Sequence, residues 1–282
     1  MMDKSIFSKQ LKGFLYQLLL IAIGIIVTIP ILYAISISFM PEVEVLTRDL
    51  RLLPSEWGYI ENYKVVFQQT LIFRFLLNSF IVAFVASSVR IIVGSLAAFS
   101  FAFFEFKGKK FLFALVVGSL IIPTEVLIVP NYFTTASFGW INTYIGMMAV
   151  YFIAGVNIFV IRQNFLAFPK EIFEAALIDG CSNFEFFWRI LLPGNVSILT
   201  TVFISSFVGI WNVYLWPLIV TNANEMRTAQ VAVTMLNVNE GNSYGPGSVM
   251  AAAVIILIPS ILVFLFFQRK IIGGFMTGSV KG

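Results

Sequence analysis

The chain contains no histidine and only one cysteine in 282 residues, and just 11% of its residues are charged. Without histidine, imidazole acid–base catalysis, Ser-His-Asp triads and histidine metal sites are excluded. A single cysteine allows neither an intrachain disulfide nor a cysteine-cluster zinc site. No G-x-x-x-x-G-K-[ST] string occurs, so the chain carries no P-loop of its own. No cofactor or metal is expected on it.

What the sequence has in place of these groups is apolar surface. Hydrophobic residues make up 59% of the chain, with 31 Phe, against roughly 45–50% in soluble domains. A soluble globule cannot hide that much apolar area, which places the chain in a bilayer. The net charge of +4 is then the mark of cytoplasmic Lys and Arg, and no nucleic-acid partner is expected.

A spanning helix needs about 20 mostly apolar residues, and six stretches qualify. They run from about Phe14 to Ser38, Phe75 to Phe104, Phe111 to Pro130, Ile141 to Ile161, Val196 to Val220 and Ser248 to Phe267. The first exceeds the h-region of a signal peptide and is followed by further spans, so it reads as an uncleaved span. Pro30, Pro123, Pro130, Pro217 and Pro259 lie within or at the ends of these stretches. Such breakers survive in bilayers where neighbouring helices or a water-filled cavity satisfy the freed backbone. The runs are continuous rather than alternating, which disfavours a β-barrel. The expected fold is all-α: a polytopic membrane bundle of six transmembrane helices.

Orientation follows from the loop cations. Lys4, Lys9, Lys12, Lys107, Lys109, Lys110, Arg162, Lys170, Arg189, Arg269, Lys270 and Lys281 fall on one side. Arg48, Arg51, Lys64, Arg74 and Arg227 fall on the other, and Arg90 lies inside a span. The richer side is cytoplasmic, and it holds both termini. Two outer segments are long: Met40 to Arg74, and Thr221 to Gly247, which ends in the turn-forming Ser243-Tyr244-Gly245-Pro246-Gly247. The chain therefore divides into residues 1–74 (tail, first span, outer loop) and a five-span core at 75–282.

The cytoplasmic stretch of about 162–195, between spans four and five, is the most informative. Pro169 suits the first turn of a helix, and Glu171 complements its N-terminal dipole. Gly180 is placed as a left-handed C′ residue, and Ser182-x-x-Glu185 reads as a capping box opening a second helix. The first helix carries small and acidic residues at Glu174, Ala175, Ala176 and Asp179. Such a patch permits close docking of a partner; the alternative is an amphipathic loop folded against its own bundle.

Glu174-Ala175-Ala176, then Asp179-Gly180, then Ile190-x-Leu192-Pro193, resembles the "EAA" loop of binding-protein-dependent ABC importer permeases. Asn142-Thr143-Tyr144 after Trp140 resembles the start of the fourth span in their carbohydrate branch, and Trp211-Asn212-x-Tyr214-Leu215-Trp216-Pro217-Leu218-Ile219 the fifth span. The ending Gln268-Arg269-Lys270…Gly273-Gly274…Gly278-Ser279-Val280-Lys281-Gly282 is similar to the tail of the maltose-transporter type of small permease subunit. The resemblance covers the second span to the C-terminus. Cys181 departs from the small residue, such as Ala, that is usual there.

The resemblance implies a multi-pass subunit of a bacterial or archaeal plasma membrane. It implies pairing with a second permease, a cytoplasmic ABC ATPase dimer and an extracytoplasmic solute-binding protein, with a sugar or oligosaccharide as substrate. Glu174, Ala175, Ala176, Asp179 and Gly180 would be the ATPase-coupling residues. Glycerol 3-phosphate or another polar solute is the alternative cargo. An ion-gradient-driven carrier, with Arg90 and Glu125 as its relay, would leave the loop from Pro169 to Pro193 unexplained, and a membrane enzyme would have little catalytic machinery in two buried charges with no His and no Cys pair.

Two ionisable residues lie at membrane depth, Arg90 and Glu125, and such residues are functional candidates by default. Straight helices would set both roughly 21 Å from the basic turn at Lys107 to Lys110. They can pair with each other, face a cavity, or stay apart, and the proline at 123 weakens the depth argument. Asn212, among Trp211, Tyr214 and Trp216, offers an amide and rings to a sugar. The competing reading is an interfacial aromatic belt with Asn bonding across helices.

Overall fold

The computed structural model describes residues 4–47, 51–238 and 244–276, and every element among them is helical, with no strand. In chain order the helices begin with α1 (Lys4–Ser38), the short α2 (Glu42–Val45), α3 (Glu61–Gln69) and α4 (Ile72–Phe103). They continue with α5 (Lys109–Gly118), α6 (Ile128–Ser137), α7 (Tyr144–Met148), α8 (Gly155–Leu166), α9 (Lys170–Ile178) and α10 (Asn183–Phe186). After α11 (Leu192–Gly194) come α12 (Val196–Trp211), α13 (Leu215–Val220), α14 (Ala229–Val238) and α15 (Pro246–Met276). Arg48 and Ser243 lie outside the described residues, as do the residues after Met276 and the side chains of Lys4, Lys9, Lys12 and of Arg269 onward. Most of the tail string that resembles the maltose-transporter type falls there.

By their contacts the residues divide into two compact units, 1–70 with 235–255, and 71–234 with 256–282. In the first unit the flank of α1 from Phe14 to Leu32 is exposed, the surface a hydrocarbon-facing helix presents. The segment after it is tied back by Ser36, which donates to the Leu52 carbonyl, by a hydroxyl contact between Ser38 and Tyr63, and by the Asn62 amide. Asn62 on α3 donates to the carbonyls of Ser38 at 3.0 Å and Met40 at 2.8 Å, and its Oδ1 lies 3.3 Å from the Ser248 hydroxyl on α15. A side chain at Gly247 would collide with that amide and with the Met40 carbonyl, which explains the glycine beside Pro246, the first residue of α15.

In the second unit α4 is the axis. Its buried positions include Ser79, Ala83, Ala86, Ser87, Gly94, Ser95 and Ala98, a stripe at helical spacing that allows close helix approach in a bilayer, where apolar burial alone gives no drive to associate. The helices α8 and α12 pack along it. They are joined to each other by a buried bond from the Asn157 amide to the Ser206 hydroxyl at 2.8 Å. At one end of α8, Arg162 donates to the Phe101 carbonyl and covers the Phe113 ring at 4.0 Å.

Three helices, Gly13–Ser38, Ile72–Phe103 and Pro246–Gln268, are each long and apolar enough to cross a membrane unbroken. The other expected spans are not continuous helices. Lys109–Ile121 and Thr124–Ser137 meet at 98°, and Tyr144–Tyr151 and Gly155–Leu166 meet at 49°. The expected helix from Val196 to Val220 stops at Trp211 and restarts at Leu215. Pro123 explains the first break: it has no N–H to give the helix, and Ile122 before it is extended (φ −80°, ψ 116°). The second break has no proline. Ala154 is extended, and a Cβ on Gly155 would stand 2.8 Å from the Val116 carbonyl and still closer to the Ser119 hydroxyl. Close approach to α5 therefore dictates both the glycine and the bend.

Candidate functional site: a capped loop and a cavity

The loop after α8 has the local chemistry its sequence dictates. Pro169 opens α9 with no side-chain cap. The helix closes on Gly180 at φ +82°. The Gly180 N–H donates to the Leu177 carbonyl and the Cys181 N–H to the Ala176 carbonyl, the paired bonds of a Schellman ending. Ser182 then caps α10. Its hydroxyl accepts the Glu185 N–H at 3.2 Å, and the Glu185 carboxylate accepts the Ser182 N–H at 3.1 Å. The bond from the Ser182 N–H, then its hydroxyl, then the charge of Arg189 hold the Glu185 carboxyl below the usual carboxylate range.

This helix–turn–helix sits on an aromatic joint. The fully buried Phe186 ring lies 4.7 Å from Phe173 of α9 and 5.5 Å from Phe103 of α4, and also touches Phe99 and Phe168. Ala176 is buried in the same cluster. Glu174, Ala175, Asp179 and Gly180 are exposed, beside exposed Leu177 and the 86% exposed Ile178. The five residues picked from sequence thus divide: Ala176 anchors the loop, and the other four face outward with an apolar edge. Between α10 and α12 the chain makes a π-helical turn, Phe187–Leu191, and then bends by 78°.

The second feature is a cavity of about 630 Å³ within the second unit. Arg90 and Glu125 both line it, and among the described residues they form no ion pair. The Arg90 Nε donates to the Tyr151 carbonyl at 2.7 Å, and its guanidinium stands 6.0 Å from the Tyr151 ring centre. Glu125 accepts from the Thr124 hydroxyl at 3.2 Å. Asn131, Val213 and Trp216 complete the parts of the wall that matter; the Trp216 indole donates to the Gly146 carbonyl.

The aromatic-plus-amide group expected around Asn212 is not brought together at this cavity. Trp211 is buried in the helix-packing core, 5.9 Å from the Phe207 ring. Asn212 is exposed, donates to the Val208 carbonyl and accepts from the Gln230 amide. Tyr214 is half-buried and outside the cavity wall. Asn131 and Tyr151 escaped the sequence reading. Only the proximity of Asn131 to Pro130 hinted at a special place, and Tyr151 enters through its backbone carbonyl, which no side-chain pattern reveals.

The Trp140–Tyr144 turn anchors the segment after α13. Asn142 adopts φ +59°, and its side chain accepts the N–H groups of Asn222 and Ala223 at 2.6 and 2.8 Å. Thr143 caps α7, and the Tyr144 hydroxyl donates to Asn78. Asn78 in turn donates to the Glu225 and Arg227 carbonyls at 2.8 and 2.9 Å.

Over most of its length the chain is similar to known transport permeases. The arabinooligosaccharides transport system permease protein AraQ of Halalkalibacterium halodurans is 32% identical over 263 residues, covering 92% of this chain and 93% of that protein. The sn-glycerol-3-phosphate transport system permease protein UgpE of Brucella melitensis is 34% identical over 266 residues, with 92% and 94% covered. The diacetylchitobiose uptake system permease protein NgcG of Streptomyces coelicolor is 29% identical, with 93% and 87% covered. A crystal structure of a bacterial ABC transporter involved in the import of the acidic polysaccharide alginate contains a chain of the same fold, with a TM-score of 0.80 at 22% identity over 93% of this chain and 97% of that one. The model of the binding-protein-dependent transport system inner membrane component matches residues 90–273, and the chain belongs to that family.

Proposed function

We propose that this chain is one transmembrane half of an ATP-driven importer that takes up a sugar or oligosaccharide delivered by an extracytoplasmic binding protein. The observation that carries the reading is the loop at 169–194. A helix ended by a Schellman turn and a capped second helix present Glu174, Ala175, Asp179 and an apolar edge, while Phe186 fixes the loop to α4. A surface that is outward-facing yet rigidly joined to a spanning helix is suited to receive motion from a separate ATPase. It lies in a family of permeases that includes sugar transporters.

In this reading the bent pairs at 109–137 and 144–166 count as single spans and the helices from Val196 to Val220 form the fifth, giving six, with both termini and the loop, including 183–194, on the cytoplasmic side. A second permease completes the pathway, and an ATPase dimer docks on the loops. Arg90 and Glu125 line the pathway in this chain, while Trp211, Asn212 and Tyr214 support its wall from outside. Glycerol 3-phosphate is the second cargo to consider, favoured by the 34% identity to UgpE and by the presence of Arg90 in the cavity.

The test is reconstitution of the whole importer with its binding protein, followed by a solute panel of arabinotriose, maltotriose, diacetylchitobiose and sn-glycerol 3-phosphate. The reading expects ATP hydrolysis to rise several-fold with one or more of the neutral sugars. A complex that hydrolyses ATP at one rate whatever solute is supplied contradicts it.

A further inference from the structure

The cavity at Arg90 and Glu125 lies where three helices are interrupted. Its wall takes Ile122 and Thr124 from the two sides of the first break, Tyr151 and Gly155 from the second, and Val213 and Leu215 from the third. Irregular backbone at membrane depth is stable only when buried in protein or when it lines a water-filled space, and carriers place their solute sites at such interruptions. One breaker, Pro123, is in the sequence. The second break is imposed by packing at Gly155, so the interruption is built by the fold rather than tolerated by it.

The polar groups there are oriented but not consumed. Arg90 uses its Nε on the Tyr151 carbonyl, which the interruption of the helix leaves free, and its terminal nitrogens have no partner among the described residues. Glu125 takes one hydroxyl at one oxygen, and its second oxygen has no partner among the described residues. The Asn131 side-chain amide makes no hydrogen bond among the described residues. These are three planar groups: a guanidinium that only donates, a carboxylate that only accepts and an amide that does both. The rest of the wall is mostly apolar, with Leu120, Ile128 and Val213 beside the Trp216 indole. Its 630 Å³ falls in the range of small-molecule sites.

We propose that this cavity is a solute station belonging to this chain itself, holding one neutral, hydroxyl-rich ring of the passing sugar between Arg90, Glu125 and Asn131. Adjacent hydroxyls on a ring both donate and accept, which matches a paired donor and acceptor set. The apolar ring faces match Trp216 and the aliphatic wall. A phosphate or carboxylate solute fits less well, because Glu125 opposes the attraction of Arg90 for it. This inference rests on the importer reading above and sharpens it from a shared pathway to a named binding set and a charge class of cargo.

The test uses the complete importer in proteoliposomes, comparing wild type with Glu125→Gln and Asn131→Leu. Both variants keep the volume of the side chain and neither touches the Tyr151 carbonyl. Co-purification of the ATPase checks assembly, and the sugar affinity of the binding protein is measured separately. With a neutral oligosaccharide of the panel above, each variant should still hydrolyse ATP when the loaded binding protein is added. Sugar taken up per ATP should fall several-fold in Asn131→Leu, the scale of a lost neutral hydrogen bond, and about tenfold in Glu125→Gln, where a bond to a charged group is weakened. Unchanged uptake per ATP in both variants overturns the station while leaving the importer standing. Separation of the two permeases in Glu125→Gln also overturns it, because the cavity would then be filled by a partner side chain. Stimulation of wild type by sn-glycerol 3-phosphate and by no neutral sugar overturns the charge class alone, and absence of any solute-stimulated hydrolysis overturns the importer reading itself.

Discussion

Single buried amides hold the parts of this chain that helix packing does not reach. Asn78, fully buried on α4, bridges the Glu225 and Arg227 carbonyls and accepts from Tyr144, while Asn142 does the same for the N–H groups of residues 222 and 223. An asparagine visits φ +59° more readily than most residues, and here its side chain is fixed by the N–H groups of residues 222 and 223. Asn78→Leu would keep the volume and strand the Arg227 carbonyl and the Tyr144 phenol, while Arg74 still donates to the Glu225 carbonyl. At about 1–3 kcal/mol for each group left unsatisfied, the variant should lose at least about 2 kcal/mol, read as a lower unfolding midpoint in detergent. A stability equal to wild type would mean that water replaces the amide. None of this was legible beforehand: the sequence singled out Asn142 as part of a resemblance, yet its work depends on which loop lies over it. Arg90 and Glu125 are the opposite case. Two charges in apolar runs announce themselves, and both reach the cavity, but the straight-helix depth estimate did not survive the 98° bend at Pro123.

At the scale of elements, what was legible depended on whether the cause is local. Gly180, Ser182 and Glu185 were placed correctly from sequence because caps are made within five residues. The break at Ala154 was not, because it is dictated by contact between Gly155 and Ser119 across two helices, and the surrounding residues are apolar on both sides. The break after Trp211 likewise falls in a run that composition alone reads as continuous. The π-helical turn at Phe187–Leu191 lies between the capped α10 and the bend into α12, and Phe186 joins the loop to α4. Phe186→Ala removes a ring with four aromatic neighbours and should destabilise this joint by about 3–5 kcal/mol. The expected result is a complex that still assembles at low temperature, hydrolyses ATP and transports poorly. Transport and hydrolysis falling in equal proportion would show that the joint only supports the fold.

At the scale of the whole molecule, charge is scarce, no P-loop string occurs, and the chain belongs to the binding-protein-dependent permease family. The proposal above has the energy enter from a separate ATPase, through a surface this chain offers. The loop at 169–194 combines four exposed residues of the expected set with a buried aromatic anchor, and the proposal is that this is the surface. The most direct measurement is uptake and ATP hydrolysis by the reconstituted importer carrying Glu174→Lys, an exposed position where reversal of charge leaves the core untouched. The account predicts normal amounts of the protein in the membrane, with ATP-driven uptake abolished. Uptake at the wild-type rate in that variant would contradict it.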